Sequence, residues 1–158
     1  MGGVNLNVAL LAALVLLLVS AGIQDARTRE IANWKNAAIL ALAPIWWWSN
    51  GLSLLPDIAL QLVIAGVIFA LFCAAFFFNW MGGGDVKMIG ALALWLPFPS
   101  LAWMLIVMSL LGGGLTLLLV VEGMVRRSDK RGIEIPYGVA IALAGLIAIR
   151  EPLFNQLS

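Results

Sequence analysis

The sequence predicts an all-α protein: a polytopic membrane bundle of about six transmembrane helices, forming one domain over residues 1–158. Three observations carry this. Hydrophobic residues make up 63% of the chain and charged ones only 11%. The apolar residues fall in runs, several of which approach or exceed the roughly 20 residues that cross a bilayer core. The basic residues collect in alternate connections between those runs, the pattern that fixes orientation in membrane proteins.

The first apolar run covers about residues 4–23. Nothing before Asp25 is charged, so the run lacks the basic flank of a secretory signal and reads as a retained helix. A polar segment follows over 24–36, and then a shorter run over 37–48 that closes on Trp46, Trp47 and Trp48, an aromatic cluster suited to the membrane interface. The loop at 49–57 carries Asn50, Gly51 and Pro56, all compatible with turns. A third run spans about 58–78. A short fourth, over 86–96, is stopped by Pro97 and Pro99. The fifth covers 101–121, and the sixth, over 135–149, follows a polar loop. The second and fourth runs are short enough to be tilted or partly re-entrant.

With six alternating spans, Arg27, Arg29 and Lys35, then Lys87, then Arg126, Arg127, Lys130 and Arg131 all fall on one side, the cytoplasmic one. Only Arg150 falls opposite, and both termini lie outside. A four-span arrangement would break this alternation.

Composition also excludes chemistry. The chain has no histidine, which removes Ser-His and Cys-His nucleophiles and the usual zinc hydrolase ligand sets. Cys73 is the only cysteine, so no disulfide or cysteine-held zinc can form within one chain. No metal and no cofactor is expected. A net charge of +1 without a basic stripe gives no sign of nucleic-acid binding. Acid–base chemistry would fall to carboxylates, Lys or Tyr.

Among the acids, Asp57 and Glu151 map to the outer face, Glu30, Asp129 and Glu134 lie in charge-rich loops as solvated groups, and Glu122 ends a span beside Gly123. Asp25 and Asp85 remain. Both sit at the cytoplasmic end of a span, far apart in sequence, and Asp85 directly follows Gly82, Gly83 and Gly84. An ionisable group beside a long apolar run is expensive unless it has a use. Two carboxylates held together share a proton near neutral pH. One can then take a proton from an attacking water while the other donates to a peptide carbonyl, which is aspartic proteolysis. The glycines fit two readings: a bare backbone that an extended substrate can approach, or a flexible turn whose aspartate caps the next helix.

At this point the residues resemble a known family. Gly82-Gly83-Gly84-Asp85-Val86-Lys87 is similar to the GxGDxK motif of type IV prepilin peptidases, which are membrane aspartyl proteases. The stretch from Asp25 to Asn33 (DARTREIAN) resembles that family's first motif, an aspartate followed by basic residues and Ile-Pro-Asn, with Ala32 in place of the proline. Pro136-Tyr137-Gly138 resembles a third, weaker landmark. The matches keep the family's order over about residues 10–145.

The resemblance implies Asp25 and Asp85 as the catalytic pair and a cytoplasmic-membrane endopeptidase that cleaves the basic leader of a prepilin-like substrate at the cytoplasmic face. It implies the short, peptidase-only type, similar to the enzymes of tight-adherence pili or preflagellins, because the cysteine-rich region that accompanies N-methylation is missing. Gly82, Gly84, Lys87, Arg27 and Tyr137 are candidates for substrate binding or support of the pair. Lys87 and Arg27 serve equally as topological anchors, and Tyr137 as an interfacial one. Asn33 reads as a cap for the second span. The glycines at 112–114 and the small residues Gly138, Ala142 and Gly145 read as close helix packing. The rival from another class is a transporter or pilus-assembly subunit that uses the two aspartates for proton relay or packing.

Overall fold

The computed structural model describes residues 2–125 and 137–150, with side chains over 6–122 and 137–150. Among these residues the chain is all-helical: α1 (Gly2–Thr28), α2 (Asn33–Ser49), α3 (Ala59–Phe77), α4 (Gly83–Ala93), α5 (Phe98–Val125) and α6 (Tyr137–Ala148). The basic cluster Arg126, Arg127, Lys130 and Arg131, the acids Asp129, Glu134 and Glu151, Pro136 of the third landmark and the start of the sixth run lie outside the described residues.

The six helices follow the six apolar runs, and three are long and apolar enough to cross a membrane: Leu6–Thr28, Leu54–Phe77 and Phe98–Glu122. The chain is a membrane helical bundle. With 11 residues, α4 extends only about 16 Å, too short to cross alone. Two boundaries differ from the apolar runs. The first helix continues through the polar residues at 24–28, because it ends only where Arg29 takes a left-handed backbone (φ 57°) and donates its N–H to the Asp25 carbonyl at 2.9 Å. The second begins at Asn33, immediately after the extended Ala32.

Burial sorts the helices into an inner and an outer set. Most of α4 and α6 is buried, whereas the spans of α3 and α5 are largely uncovered by protein and suited to lipid. The core joins Leu10, Leu14, Leu18 and Ala21 of α1, Ile39 and Ala43 of α2, Met88, Ile89 and Leu92 of α4, and Ile141, Ala142 and Ala144 of α6. The small residues of α6 permit its depth. A Cβ on Gly145 would stand 3.3 Å from Leu18 and 3.4 Å from Leu92, and one on Gly22 would stand 3.1 Å from Ala142.

A helix end buried among apolar helices must find partners for its last carbonyls. Here α2 and α3 supply them. Gln61 Nε2 donates to the carbonyls of Ala93 and Leu96, at 2.6 Å each, and Trp47 Nε1 donates to that of Leu94 at 2.7 Å. Trp95 Nε1 returns a bond to the Ile39 carbonyl at 2.8 Å. Gln61→Leu, which strands two carbonyls, is expected to cost about 1–3 kcal/mol. Thermal unfolding in detergent checks this; an unchanged midpoint would show that water or other donors serve those carbonyls.

Candidate active site

The inward stripe of α1, Leu10, Leu14, Leu18 and Ala21, advances by three or four residues and reaches Asp25 next. The stripe of α4 does the same in reverse, from Leu92 through Ile89 and Met88 back to Asp85. Each carboxylate thus occupies the next core position at the end of an apolar face. Both are buried, Asp25 to 4% exposure and Asp85 to 8%. Buried carboxylates need polar partners, and each finds one at a helix N-terminus.

Asp25 meets the first turn of α6, where Val139 N–H donates to Oδ2 at 3.2 Å. Free N–H groups and the helix dipole make that end favourable for an anion. Gly138 allows the approach: a Cβ there would lie 2.8 Å from Asp25 Cγ and 2.8 Å from Ile31 Cδ1. Asp85 is the third residue of α4, and Gly82 takes the N-cap position with extended backbone. The carboxylate turns back toward the Gly82 N–H, the return half of a capping box. Asp85 therefore caps its own helix from the position that also faces Asp25.

The two acids are close enough for the charge of Asp25 to act on Asp85. They share a recess of about 310 Å³ whose walls also include Arg29, Glu30, Ile31, Asn33 and the glycines at 82–84. A second recess of about 500 Å³ again contains both acids, Arg29 and Gly82, and adds Thr28, Asn79, Trp80, Met81 and Tyr137. Arg29 is the cation that acts on Asp25. Among the described residues, no group of three or more His, Cys, Asp or Glu could hold a metal ion.

The connection between α1 and α2 packs against the glycine turn that precedes Asp85. A Cβ on Gly84 would stand 3.2 Å from Ile31 Cβ, so a side chain there would push Ile31 aside by a few tenths of an ångström. Asn36, buried in α2, donates Nδ2 to the Gly84 carbonyl at 3.0 Å. Lys87 Nζ donates to Asn33 Oδ1 at 2.8 Å. These two bonds tie the first turns of α2 and α4 side by side and so join the two motifs.

The structure therefore brings Asp25, Asp85, Gly82, Gly84 and Tyr137 to the recesses. It leaves Arg27 exposed near the end of α1, lining neither recess, and puts Arg29 in both. Lys87 is turned away from Asp85, toward Asn33 and a cleft on the far side of α4. In the sequence Arg29 reads as a topological anchor within the first motif, Gly138 as helix packing within the third landmark, and Asn36 carries no separate reading. The left-handed turn at Arg29 and the proximity of α6 to Asp25 have no signature in one sequence. Asn36 was legible as a polar residue at the start of an apolar run.

Residues 12–117 match the profile of the type IV leader peptidase family. No curated protein and no solved structure gives a significant match to the chain.

Proposed function

The chain belongs to the type IV leader peptidase family, and on that premise we propose that it is an aspartic endopeptidase in which Asp25 and Asp85 form the catalytic pair. The single observation that carries this reading is the convergence of two buried carboxylates, 60 residues apart in sequence, on one recess walled by bare glycine backbone.

In this mechanism the pair holds one proton between its two carboxyl groups. The ionised partner takes a proton from a water in the recess as that water attacks the scissile carbonyl. The protonated partner gives its proton to the carbonyl oxygen. The tetrahedral intermediate then collapses, and the departing amine recovers a proton from the pair. Asp25, held by the Val139 N–H at the α6 terminus, is the better-stabilised anion and suits the role of base. Asp85 then suits that of acid. The substrate is a prepilin-like protein whose basic leader lies on the cytoplasmic side and whose apolar helix stays in the bilayer. Glu30, at the rim of both recesses, offers a counter-charge to that leader. Peptidase activity without N-methylation completes the proposal.

Co-expression with a small protein carrying a basic leader, a glycine and then an apolar helix tests the reading. The expected product is the leaderless form, identified by mass. An uncleaved substrate beside a well-inserted wild-type chain would favour a transporter or assembly role instead.

A further inference from the structure

On the face of α4 opposite the acids lies a separate, apolar cleft of about 340 Å³, lined chiefly by Leu40 of α2, Leu62, Gly66 and Phe69 of α3, and Gly90 and Leu94 of α4. Lys87 stands at one end of it. On α4, Lys87, Gly90, Ala91 and Leu94 follow the i, i+3, i+4, i+7 spacing of one helix face. At 3.6 residues per turn, that face is about 180° around the helix from Asp85. The cleft runs about 10 Å along α4, seven residues at the helical rise, and its α3 wall is largely uncovered by protein.

We propose that this cleft is a binding site for an anionic phospholipid, with its phosphate on the Lys87 ammonium and one acyl chain along Leu40, Leu62 and Gly66. The charge pattern names the occupant. A cation at the polar end, followed by a purely apolar slot, complements an amphiphile with an anionic head. Among the described residues the ammonium meets only the Asn33 amide oxygen and no carboxylate, so two of its three N–H donors and its charge remain available. A substrate chain threading the acids would have to wrap half-way round α4 to reach the same slot. The bound lipid would brace the junction of α2 and α4, where the Lys87–Asn33 bond joins the two motifs. This inference does not depend on the peptidase reading.

Gly66 supplies the test. A Cβ on Gly66 meets no atom within 4 Å, so Gly66→Leu can fill the cleft without displacing backbone. Native mass spectrometry of the purified full chain would be titrated with phosphatidylglycerol and, separately, phosphatidylcholine of the same acyl chains. The wild type is expected to retain one phosphatidylglycerol with about a fivefold preference, the worth of one cation near an anionic headgroup. Lys87→Met should bring the ratio close to one, and Lys87→Arg should keep it. Gly66→Leu should weaken both lipids about tenfold, equivalent to about two methylenes denied burial. Leu40→Trp, which fills the slot from α2, should act alike if Gly66→Leu does not fold. Equal retention of the two lipids by the wild type, or unchanged phosphatidylglycerol binding in both filled variants, overturns the proposal. Filled variants that keep the lipid but slow prepilin cleavage would assign the cleft to the substrate helix, and filled variants that change the oligomeric state would assign it to a second copy; either result overturns the lipid assignment.

Discussion

Asp85→Asn is expected to abolish leader removal while the protein still accumulates and inserts. Asparagine keeps the shape of the side chain and can still face the Gly82 backbone at the start of α4, so the fold has little reason to fail. It can no longer donate an acid proton or hold its share of the single proton. Loss of one general acid or base costs about 10²–10⁴ in rate, which in a cell reads as unprocessed substrate. Asp25→Asn should give the same outcome for a related reason. Its amide can still receive the Val139 N–H, but it cannot deprotonate water. Immunoblots for substrate and enzyme, run together on membranes, separate loss of chemistry from loss of protein. Full processing by either variant would remove that carboxylate from the mechanism.

Gly138→Ala is expected to slow cleavage by about 10²-fold, although residue 138 has no reactive atom. The added methyl would sit 2.8 Å from Asp25 Cγ and 2.9 Å from Asp25 Cβ, closer than real carbon contacts allow. Either α6 withdraws, taking the Val139 N–H with it, or the carboxylate rotates away from the recess. A misplacement of about 1 Å in a catalytic group costs on the order of 10² in rate. The loss should fall on kcat more than on KM, because the glycine wall at 82–84 is untouched. Gly113→Ala is the matched control, since a Cβ there meets nothing within 4 Å. Equal rates for Gly138→Ala and the wild type would mean that the contact between α6 and Asp25 relaxes without consequence.

Asp25 and Asp85 were legible in the sequence because an acid beside an apolar run has few structural uses, and because the positive-inside pattern set both at one end of the bundle. The six apolar runs likewise foretold six helices, since hydropathy reports burial in lipid or protein whatever the packing. The sequence was less informative about helix ends. The polar residues at 24–28 read as a loop, yet α1 continues through them and ends only at the left-handed Arg29, and this extension sets Asp25 on the core stripe. That same turn explains why Arg29 and not Arg27 lines the recess: residues two apart on a helix end point in different directions. The face of α4 that carries Lys87 follows from helical spacing alone. Its partners on α2 and α3 depend on how three helices pack, which one sequence does not encode locally. Gly138 illustrates the same limit, because its need for a missing Cβ comes from Asp25 and Ile31, more than 100 residues away in sequence.

In the proposed mechanism the two carboxylates act as one unit. Single-turnover cleavage of a purified prepilin by the wild type, Asp25→Asn, Asp85→Asn and the double variant, in one detergent and at one pH, measures it directly. Groups that act jointly lose their effect together, so each single variant should fall by at least about 10² and the double variant should fall little further. A single variant that keeps a rate within tenfold of the wild type, or a double variant whose loss is the product of the two single losses, would contradict a shared catalytic pair.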